Sequence, residues 1–336
     1  MLLAQSLFTV DAHTTGTPIR VITGGIPTLR GDNVTEKMEY MRDHFDWLRC
    51  TSMKQPRGFM ALVGAVLTES TVPEADFGLF YIDSCGYQPM CGAGTLSVAK
   101  VVVETGMVAP VQPKTKVVFE TPAGLVTVFV EFENGIVKHV AFENIPSFLY
   151  RKDVKLDVPD VGELTVDIGF DGNFFTLVDV DQLGFDIGPE KVQLMKDLSR
   201  KILAEANRVV KIQHPAIATI NYMDQLLYCK NKPEADGGYM GQCIFGDAQA
   251  DISPCGTGTS TRLAQRYARG LIGMNETFVH RSYPGGAFSG KAVRKAKVGD
   301  FDAIIPQVFC SDVHITGFNH LVVEANDKLK NGFVTW

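Results

Sequence analysis

The sequence Met90-Cys91-Gly92-Ala93-Gly94-Thr95 returns in similar form at Pro254-Cys255-Gly256-Thr257-Gly258-Thr259. Each of these two cysteine turns, the first at 90–95 and the second at 254–259, leads into a segment typical of a helix. Backbone N–H groups at a helix N-terminus lack intrahelical acceptors, and the helix dipole adds to their attraction for negative charge. A thiol placed there is more easily ionised, and a carboxylate finds donors already in position.

Strand-like segments dominate the rest of the chain, and their spacing favours antiparallel sheet over regular alternation of strands and helices. The clearest is a hairpin within 115–132, followed by the tight-turn dipeptide Asn134-Gly135. A short strand is also predicted at 217–221. Helices are predicted at 34–48, 95–107, 189–210 and 259–269. Each half of the chain therefore repeats one order, in which strands precede a cysteine turn, a helix and more strands.

This repetition predicts an α+β protein of two similar halves with a cleft between them. The boundary is expected near Pro159, because 153–162 is rich in charged residues, proline and glycine. A chain of 336 residues is long enough for two domains. Two similar cysteine turns that meet at one cleft would hold a small carboxylate between two thiols.

The composition excludes several classes of function. Apolar residues make up 45% of the chain and charged residues 21%, with a formal charge of -6 and no long run of either sign. These values are typical of a globular protein and argue against a nucleic-acid groove or a basic membrane patch. No segment approaches 18 consecutive apolar residues, so no membrane span is predicted. The N-terminus lacks the features of a signal peptide, so we expect a cytoplasmic protein.

Seven cysteines form no C-x-x-C pair and no zinc-ligand spacing, so no metal site is predicted. Their odd number, in a protein expected in a reducing compartment, argues against a disulfide framework. Cys229 and Cys243 lie in predicted strands and are interpreted as small buried hydrophobic residues. Cys91 and Cys255 differ from the others through the turns that carry them.

Two thiols near one carboxylate suit the inversion of an amino acid. Removal of the α-proton leaves charge that backbone donors of Gly92, Ala93, Gly256 and Thr257 can stabilise. One base serves only one face of the carbon, so inversion follows most simply from a thiolate on one face and a thiol on the other. Asp251 lies four residues before the second cysteine and can accept hydrogen bonds from the cationic substrate nitrogen.

A structural interpretation exists for each of these residues. One cysteine turn alone is more often structural than catalytic, and only the second copy favours function. Asp251 by itself is as often a turn residue as a ligand. Asn173 is interpreted as a turn residue, and His13 and His214 are interpreted as structural.

Together these residues resemble the proline racemase family. The two cysteine turns, the second extended to Asp251-Ile252-Ser253, match its two signature elements. Further matches extend over nearly the whole chain: 11–16 with Arg20, Gly24-Gly25, 56–58, 144–148, Asp167-Ile168, 172–174, 315–317 and Gly332-Phe333.

The resemblance implies two similar diaminopimelate-epimerase-like domains, each a mostly antiparallel sheet wrapped around a central helix, with the active site in the interdomain cleft. The domains are expected at 1–158, joined by C-terminal strands at 315–336, and at 159–314. The resemblance implies no cofactor. It also implies that Cys91 and Cys255 are the paired acid/base thiols. Asp251 would contact the substrate nitrogen, while Gly92, Gly256 and Thr257 hold the carboxylate.

The chain departs from the family pattern at Ala93, where histidine is usual, and at Ile252, where arginine is usual. Related dehydratases carry threonine at the second cysteine position, so Cys255 favours racemisation or epimerisation. The expected enzyme is a racemase or 2-epimerase of proline or 4-hydroxyproline. A hydroxyproline dehydratase and a non-catalytic binding protein remain alternatives. We expect a homodimer with a small amino acid as its ligand, but the sequence leaves the substrate and the oligomeric state open.

Overall fold

The structure is a computed structural model and describes residues 3–335. The chain divides into two compact units, Met1–Phe142 with Cys310–Trp336, and Glu143–Phe309. This division falls before the predicted boundary, because Pro159 lies in the turn between two paired strands of the second unit. The domains predicted at 1–158 with 315–336 and at 159–314 stay a prediction, and the two units are described separately below.

The first unit consists of strands, two helices and a C-terminal strand. Its elements are β1 Leu3–Thr14, β2 Thr17–Gly24, α1 Val34–Met53, β3 Val63–Thr68, β4 Phe77–Ile82, β5 Tyr87–Gln88, α2 Gly92–Glu104, β6 Lys114–Thr121, β7 Gly124–Glu133, β8 Ile136–Glu143 (which ends one residue inside the second unit) and, late in the chain, β18 Val313–Glu324. The last strand pairs antiparallel with β1, and β2 pairs parallel with β3. The segment predicted as a hairpin within 115–132 is the antiparallel pair β6 and β7.

The second unit follows the same order of strands, helix and strands. Its elements are β9 Ser147–Val158, β10 Gly162–Phe170, β11 Phe174–Asp179, α3 Val192–Val209, β12 Gln225–Cys229, β13 Tyr239–Phe245, β14 Gln249–Ala250, α4 Gly256–Ala268, β15 Phe278–Arg281, β16 Ala287–Val298 and β17 Phe301–Cys310. Short 3-10 helices span Val180–Leu183 and Pro189–Lys191. Strand pairing runs from β9 through β13 to β15, β16 and β17, and β17 pairs again with β9.

Helices α2 and α4 are buried in their units. Eleven of the 13 residues are buried in each helix. Helix α2 contacts β1, β2, β3, β7 and β18, and α4 contacts β9, β10, β11 and β16. The apolar residues of α2, such as Leu96 and Val101, suit this environment, whereas α4 buries Thr259, Thr261 and Arg262. Because buried polar groups need hydrogen-bond partners, α4 depends on its surroundings more than α2 does.

Both central helices begin three residues earlier than predicted, at 92 and 256 instead of 95 and 259. The cysteine itself is the N-cap residue in each case, so the glycines form the first helical turn. Glycine has a low helix propensity, which is why the sequence pattern places these residues outside the helix. Tertiary packing overrides that preference.

The strand predicted at 217–221 is wrong. The segment is an irregular loop in which the ring of His214 accepts hydrogen bonds from the N–H groups of Ala216 and Ile217, at 3.1 and 3.0 Å. The N–H of His214 in turn donates to the carbonyl of Ile220. These local bonds satisfy backbone groups that a strand would need for its ladder. No helix among residues 3–335 is long and apolar enough to cross a membrane.

Candidate functional site

Cys91 caps helix α2 in the first unit. Its sulfur accepts a hydrogen bond from the N–H of Gly94 at 3.4 Å, three residues into the helix. This is the contact that serine makes at the N-cap of many helices. The N–H groups of Gly92 and Ala93 occupy the first two helical positions, where no intrahelical acceptor exists. Cys91 is partly exposed.

The start of α2 is held by buried hydroxyl groups. Thr95 donates to the carbonyl of Cys91 at 2.8 Å, and its oxygen lies 2.6 Å from the hydroxyl of Tyr81. Burial, followed by the charge of Cys91, raises the pKa of Tyr81 well above its ordinary value. Tyr81 is therefore a neutral phenol that fixes the helix start. On the opposite side, Thr14 of β1 donates to the carbonyl of Ala93 at 2.9 Å.

Cys255 caps helix α4 in the second unit in the same way. Its sulfur accepts from the N–H of Gly258 at 3.3 Å and lies 3.5 Å from the hydroxyl of Thr257. The residue is only 6% exposed. Its backbone has φ +66° and ψ 113°, a left-handed value that side chains other than glycine rarely adopt.

Asp251 and Ser253 support this strained cysteine. The carboxylate oxygen Oδ1 of Asp251 accepts from the N–H and the hydroxyl of Ser253, at 2.9 and 3.0 Å. The hydroxyl of Ser253 accepts from the N–H of Cys255 at 3.1 Å. This chain of hydrogen bonds links the predicted nitrogen ligand to the predicted thiol. Ser253 was not predicted as a site residue, although it stands in the signature motif.

Cys243 is the second site residue that the sequence interpretation missed. Its sulfur, the sulfur of Cys255 and a carboxylate oxygen of Asp251 all lie within 4.8 Å of one another. The strand position is as predicted, in β13, but the assignment as only a buried hydrophobic residue omits this contact. The hydrogen bond from the N–H of Asp251 to the carbonyl of Cys243 brings the two residues together. The turn at Gly246-Asp247 was the one available signal, because it folds β13 back toward 251.

Hydrogen bonding to Cys255 and burial raise the pKa of Cys243 well above its ordinary value. Cys243 therefore keeps its proton at neutral pH, and its S–H can donate to the sulfur of Cys255. As thiolates, the two cysteines would with the carboxylate of Asp251 supply donor atoms that Zn²⁺ takes, and the raised pKa of Cys243 opposes the loss of proton that such binding needs. Among residues 3–335 this is the one group of three such ligands.

His280 holds the start of α4 as Tyr81 holds the start of α2, through a hydrogen bond to a threonine of the first helical turn. Its Nδ1 lies 2.9 Å from the hydroxyl of Thr259, the residue equivalent to Thr95. Burial lowers the pKa of His280 to about 3, so the ring is neutral at physiological pH. The remaining histidine and asparagine predictions concern a strand end and a turn. His13 is the last residue but one of β1, and its ring accepts from the N–H of Gly16, while Asn173 lies in the turn between β10 and β11.

Comparison with known proteins identifies the family. The family model described as proline racemase matches residues 9–334. The chain belongs to the proline racemase family.

The relatives carry three different names. The chain is 40% identical to a proline racemase of Clostridioides difficile and 35% identical to a trans-3-hydroxy-L-proline dehydratase of Burkholderia cenocepacia, with 99% of each chain covered. A hydroxyproline epimerase from Agrobacterium vitis, solved with bound trans-4-hydroxy-L-proline, has 27% identity and a TM-score of 0.94. That match covers 100% of this chain and 96% of the epimerase.

The comparisons establish the sheet-rich α+β fold of this chain and its place among amino-acid racemases, epimerases and dehydratases. The names agree on proline-type amino acids and differ on the reaction.

Proposed function

We propose that the protein is a cofactor-independent racemase or 2-epimerase that inverts the α-carbon of proline or 4-hydroxyproline. The observation that carries the proposal is the pair of helix N-termini, each capped by a cysteine whose sulfur accepts from a glycine N–H. In each turn the thiol stands beside helix positions whose N–H groups suit a carboxylate. The proposal requires that both sulfurs reach one substrate carbon.

In the proposed reaction one cysteine removes the α-proton as a thiolate and the other returns a proton to the opposite face. The roles exchange when the reaction runs in reverse, as microscopic reversibility demands. Backbone N–H groups of Gly92, Ala93, Gly256 and Thr257 hold the carboxylate and stabilise the charge that develops on it. Because these donors belong to the backbone, the alanine at 93 retains its share of this binding.

Asp251 is proposed to accept a hydrogen bond from the substrate nitrogen. Its carboxylate is held by Ser253, so it is oriented before substrate arrives. The histidine that the family usually has at 93 is absent, so Asp251 would be the main partner of the ring nitrogen. A cytoplasmic location and a homodimer belong to the same proposal.

Deuterium exchange tests the reaction. The enzyme is incubated with L-proline or trans-4-hydroxy-L-proline in heavy water, and the loss of the α-proton signal is followed by NMR. Cys91→Ser and Cys255→Ser should each slow the inversion of proline at least about a thousandfold, and each should slow exchange of the enantiomer whose α-proton the substituted cysteine removes, L-proline for one variant and D-proline for the other, because one base serves one face. Cys85→Ser changes an exposed cysteine outside both turns and serves as the matched control.

Exchange by both serine variants at the parent rate would rule out the two-thiol mechanism. The alternatives have distinct outcomes. With trans-3-hydroxy-L-proline as substrate, a dehydratase would remove the α-proton, lose the 3-hydroxyl as water and release a cyclic imine that a reductase can consume. A binding protein would be stabilised by proline without any loss of optical rotation.

A further inference from the structure

The second unit brings two thiols together at the start of α4. The sulfurs of Cys243 and Cys255 lie within 4.8 Å of each other, in the group that also includes an oxygen of Asp251. Both residues are buried, and Cys255 is the more exposed of the two, at 6% against 1%. The reaction proposed above uses Cys255 as an acid/base thiol and gives the thiol of Cys243 no chemical step of its own.

The register of two strands directs the side chain of Cys243 toward the helix start. Cys243 of β13 pairs directly opposite Leu227 of β12, so the two side chains project from the same face of the sheet. A Cβ at Gly258 would lie 3.6 Å from Cδ1 of Leu227 and 3.1 Å from the sulfur of Cys255. This face of the sheet therefore packs against the first turn of α4, where Cys255 is the cap.

Hydrogen bonds hold the backbone segments of the two cysteines together. The N–H of Asp251 donates to the carbonyl of Cys243 at 3.0 Å. The side-chain amide of Gln242 donates to the carbonyls of Cys243 and Asp251, at 2.9 and 2.7 Å. From Asp251, the hydrogen bonds through Ser253 continue to the N–H of Cys255. The two thiols are therefore neighbours because the backbone is fixed, and not because of one side-chain rotamer.

We propose that a hydroperoxide oxidises this pair to a disulfide between Cys243 and Cys255, and that the disulfide reversibly inactivates the second cysteine turn. The two sulfurs must approach each other by at most about 2.8 Å to reach the disulfide bond length of about 2.05 Å. Rotation of the two side chains about their Cα–Cβ bonds supplies this movement. Disulfides of cytosolic proteins are usually transient and redox-sensing, and the chain is proposed above to be cytoplasmic.

Cys255 reacts first, because it is the more exposed cysteine and caps a helix N-terminus, a position that favours the thiolate. Its sulfur attacks one peroxide oxygen, so that an S–O bond forms, the O–O bond breaks, and the leaving oxygen takes the proton that Cys255 has lost. The sulfur of Cys243 then attacks the sulfenic acid. The S–S bond forms as the S–O bond breaks, and hydroxide leaves as water with the proton of Cys243. Two thiols and hydrogen peroxide thus give one disulfide and two water molecules.

The effect of the disulfide on activity rests on the proposed function. Oxidation removes the acid/base thiol of the second turn, so inversion stops, and a dithiol restores both cysteines by exchange. Without the thiol of Cys243, the sulfenic acid of Cys255 is left to oxidise further to a sulfinic acid, which a dithiol does not reduce. Cys243 therefore makes the loss of activity reversible.

Peptide mapping of the intact protein tests the disulfide without any assay of activity. Residues 231–262 form one tryptic peptide, which contains Cys243 and Cys255 and no other cysteine. The folded protein is treated with hydrogen peroxide, denatured and alkylated with N-ethylmaleimide. The parent peptide should be lighter than the reduced peptide by two hydrogen atoms and carry no maleimide, and dithiothreitol should restore alkylation of both cysteines. In Cys243→Val, the peptide should instead gain two oxygen atoms at Cys255.

The matched control is Cys229→Val, because Cys229 is a buried cysteine of the neighbouring strand and lies on a different tryptic peptide. Its peptide 231–262 should behave as that of the parent. After peroxide, the fraction of starting activity that dithiothreitol restores should be at least about fivefold larger in the parent than in Cys243→Val.

The peptide result distinguishes failure of this proposal from failure of the proposed function. A parent without racemase activity that still forms the disulfide would contradict the proposed function alone. The disulfide proposal is overturned if both cysteines of the parent peptide remain alkylated after peroxide, or if Cys255 is cross-linked to Cys91 or Cys229 instead. Equal recovery of activity in the parent and in Cys243→Val would overturn the reversible inactivation.

Discussion

The two cysteine turns have nearly the same sequence and different surroundings. Cys91 has an extended backbone, with φ −143° and ψ 115°, that any residue adopts. Cys255 has φ +66°, which costs on the order of 1–3 kcal/mol for a side chain other than glycine. Ser253 and Asp251 hold it there through hydrogen bonds. One local motif is thus relaxed in the first unit and strained in the second, and the strained copy is also the more buried.

Substitution of the glycine three residues after each cysteine should give the largest difference in stability between the two turns. An alanine Cβ at Gly94 would lie 2.5 Å from the ring of Tyr81, whereas one at Gly258 would lie 3.1 Å from the Cys255 sulfur. The Tyr81 ring is fully buried, so Gly94→Ala should lower the free energy of unfolding by about 3 kcal/mol. Gly258→Ala should cost less than about 1 kcal/mol and mainly reduce activity.

Urea unfolding and turnover of the two alanine variants measure this difference. Equal losses of stability in both would contradict the claim that the turns are packed differently. Gly106→Ala, whose Cβ would meet nothing within 4 Å but whose φ is positive, gives the cost of backbone strain alone.

His280 and Tyr81, which bond to the first turns of α4 and α2, should lose their contributions to stability at opposite extremes of pH. His280 has a folded pKa of about 3, below its ordinary value of 6.5, so the unfolded chain binds the proton first as pH falls. Stability from this group is complete above pH 6.5 and is lost toward pH 3, by about 2 kcal/mol between pH 7 and 5. Tyr81 has a raised pKa, so its contribution is lost above about pH 10.

Urea unfolding at pH 5, 7, 9 and 11 measures both expected losses of stability, in acid from His280 and in base from Tyr81. His280→Asn, which keeps an acceptor near the Nδ1 position, should lose less stability than the parent between pH 7 and 5. Tyr81→Phe should lose about 1 kcal/mol less than the parent between pH 9 and 11. An acid response unaffected by His280→Asn would show that this anchor does not titrate on unfolding.

Glycine in place of each cysteine should expose the backbone strain. Cys255→Gly should be more stable than Cys255→Ala by about 1.5 kcal/mol, because glycine adopts positive φ without a steric cost. The corresponding variants of Cys91 should differ only by the N-cap preference for glycine over alanine, about 0.5 to 1 kcal/mol, since the backbone there is extended. Thermal unfolding of the four variants tests this, and a gap of the same size at Cys91 would contradict it.

The thiol of Cys243 should have a small effect that is confined to activity. Cys243→Val removes the S–H that can donate to Cys255 and should lower turnover roughly fivefold, equivalent to about 1 kcal/mol. Cys229→Val is the matched control, since that thiol is buried in the neighbouring strand and donates to the carbonyl of Leu227. Equal activity of the two variants would show that the role of Cys243 is purely structural.

The sequence predicts secondary structure correctly where that structure depends on residues close together in the chain. The hairpin at β6 and β7 follows from alternating residues and a glycine turn, and α3 follows from its apolar stripe. The loop at 217–221 was mistaken for a strand because its backbone bonds go to the ring of His214. No local pattern in the sequence predicts that a histidine ring will take the backbone hydrogen bonds that a neighbouring strand would otherwise take.

The sequence by itself determined the family, the α+β class and the two cysteines that start the central helices, because these depend on short motifs and on spacing along the chain. Only the tertiary structure decided that Cys255 is strained and that Cys243 lies beside it. Both depend on which distant residues pack together. Backbone strain and the contact between two thiols are properties of that packing.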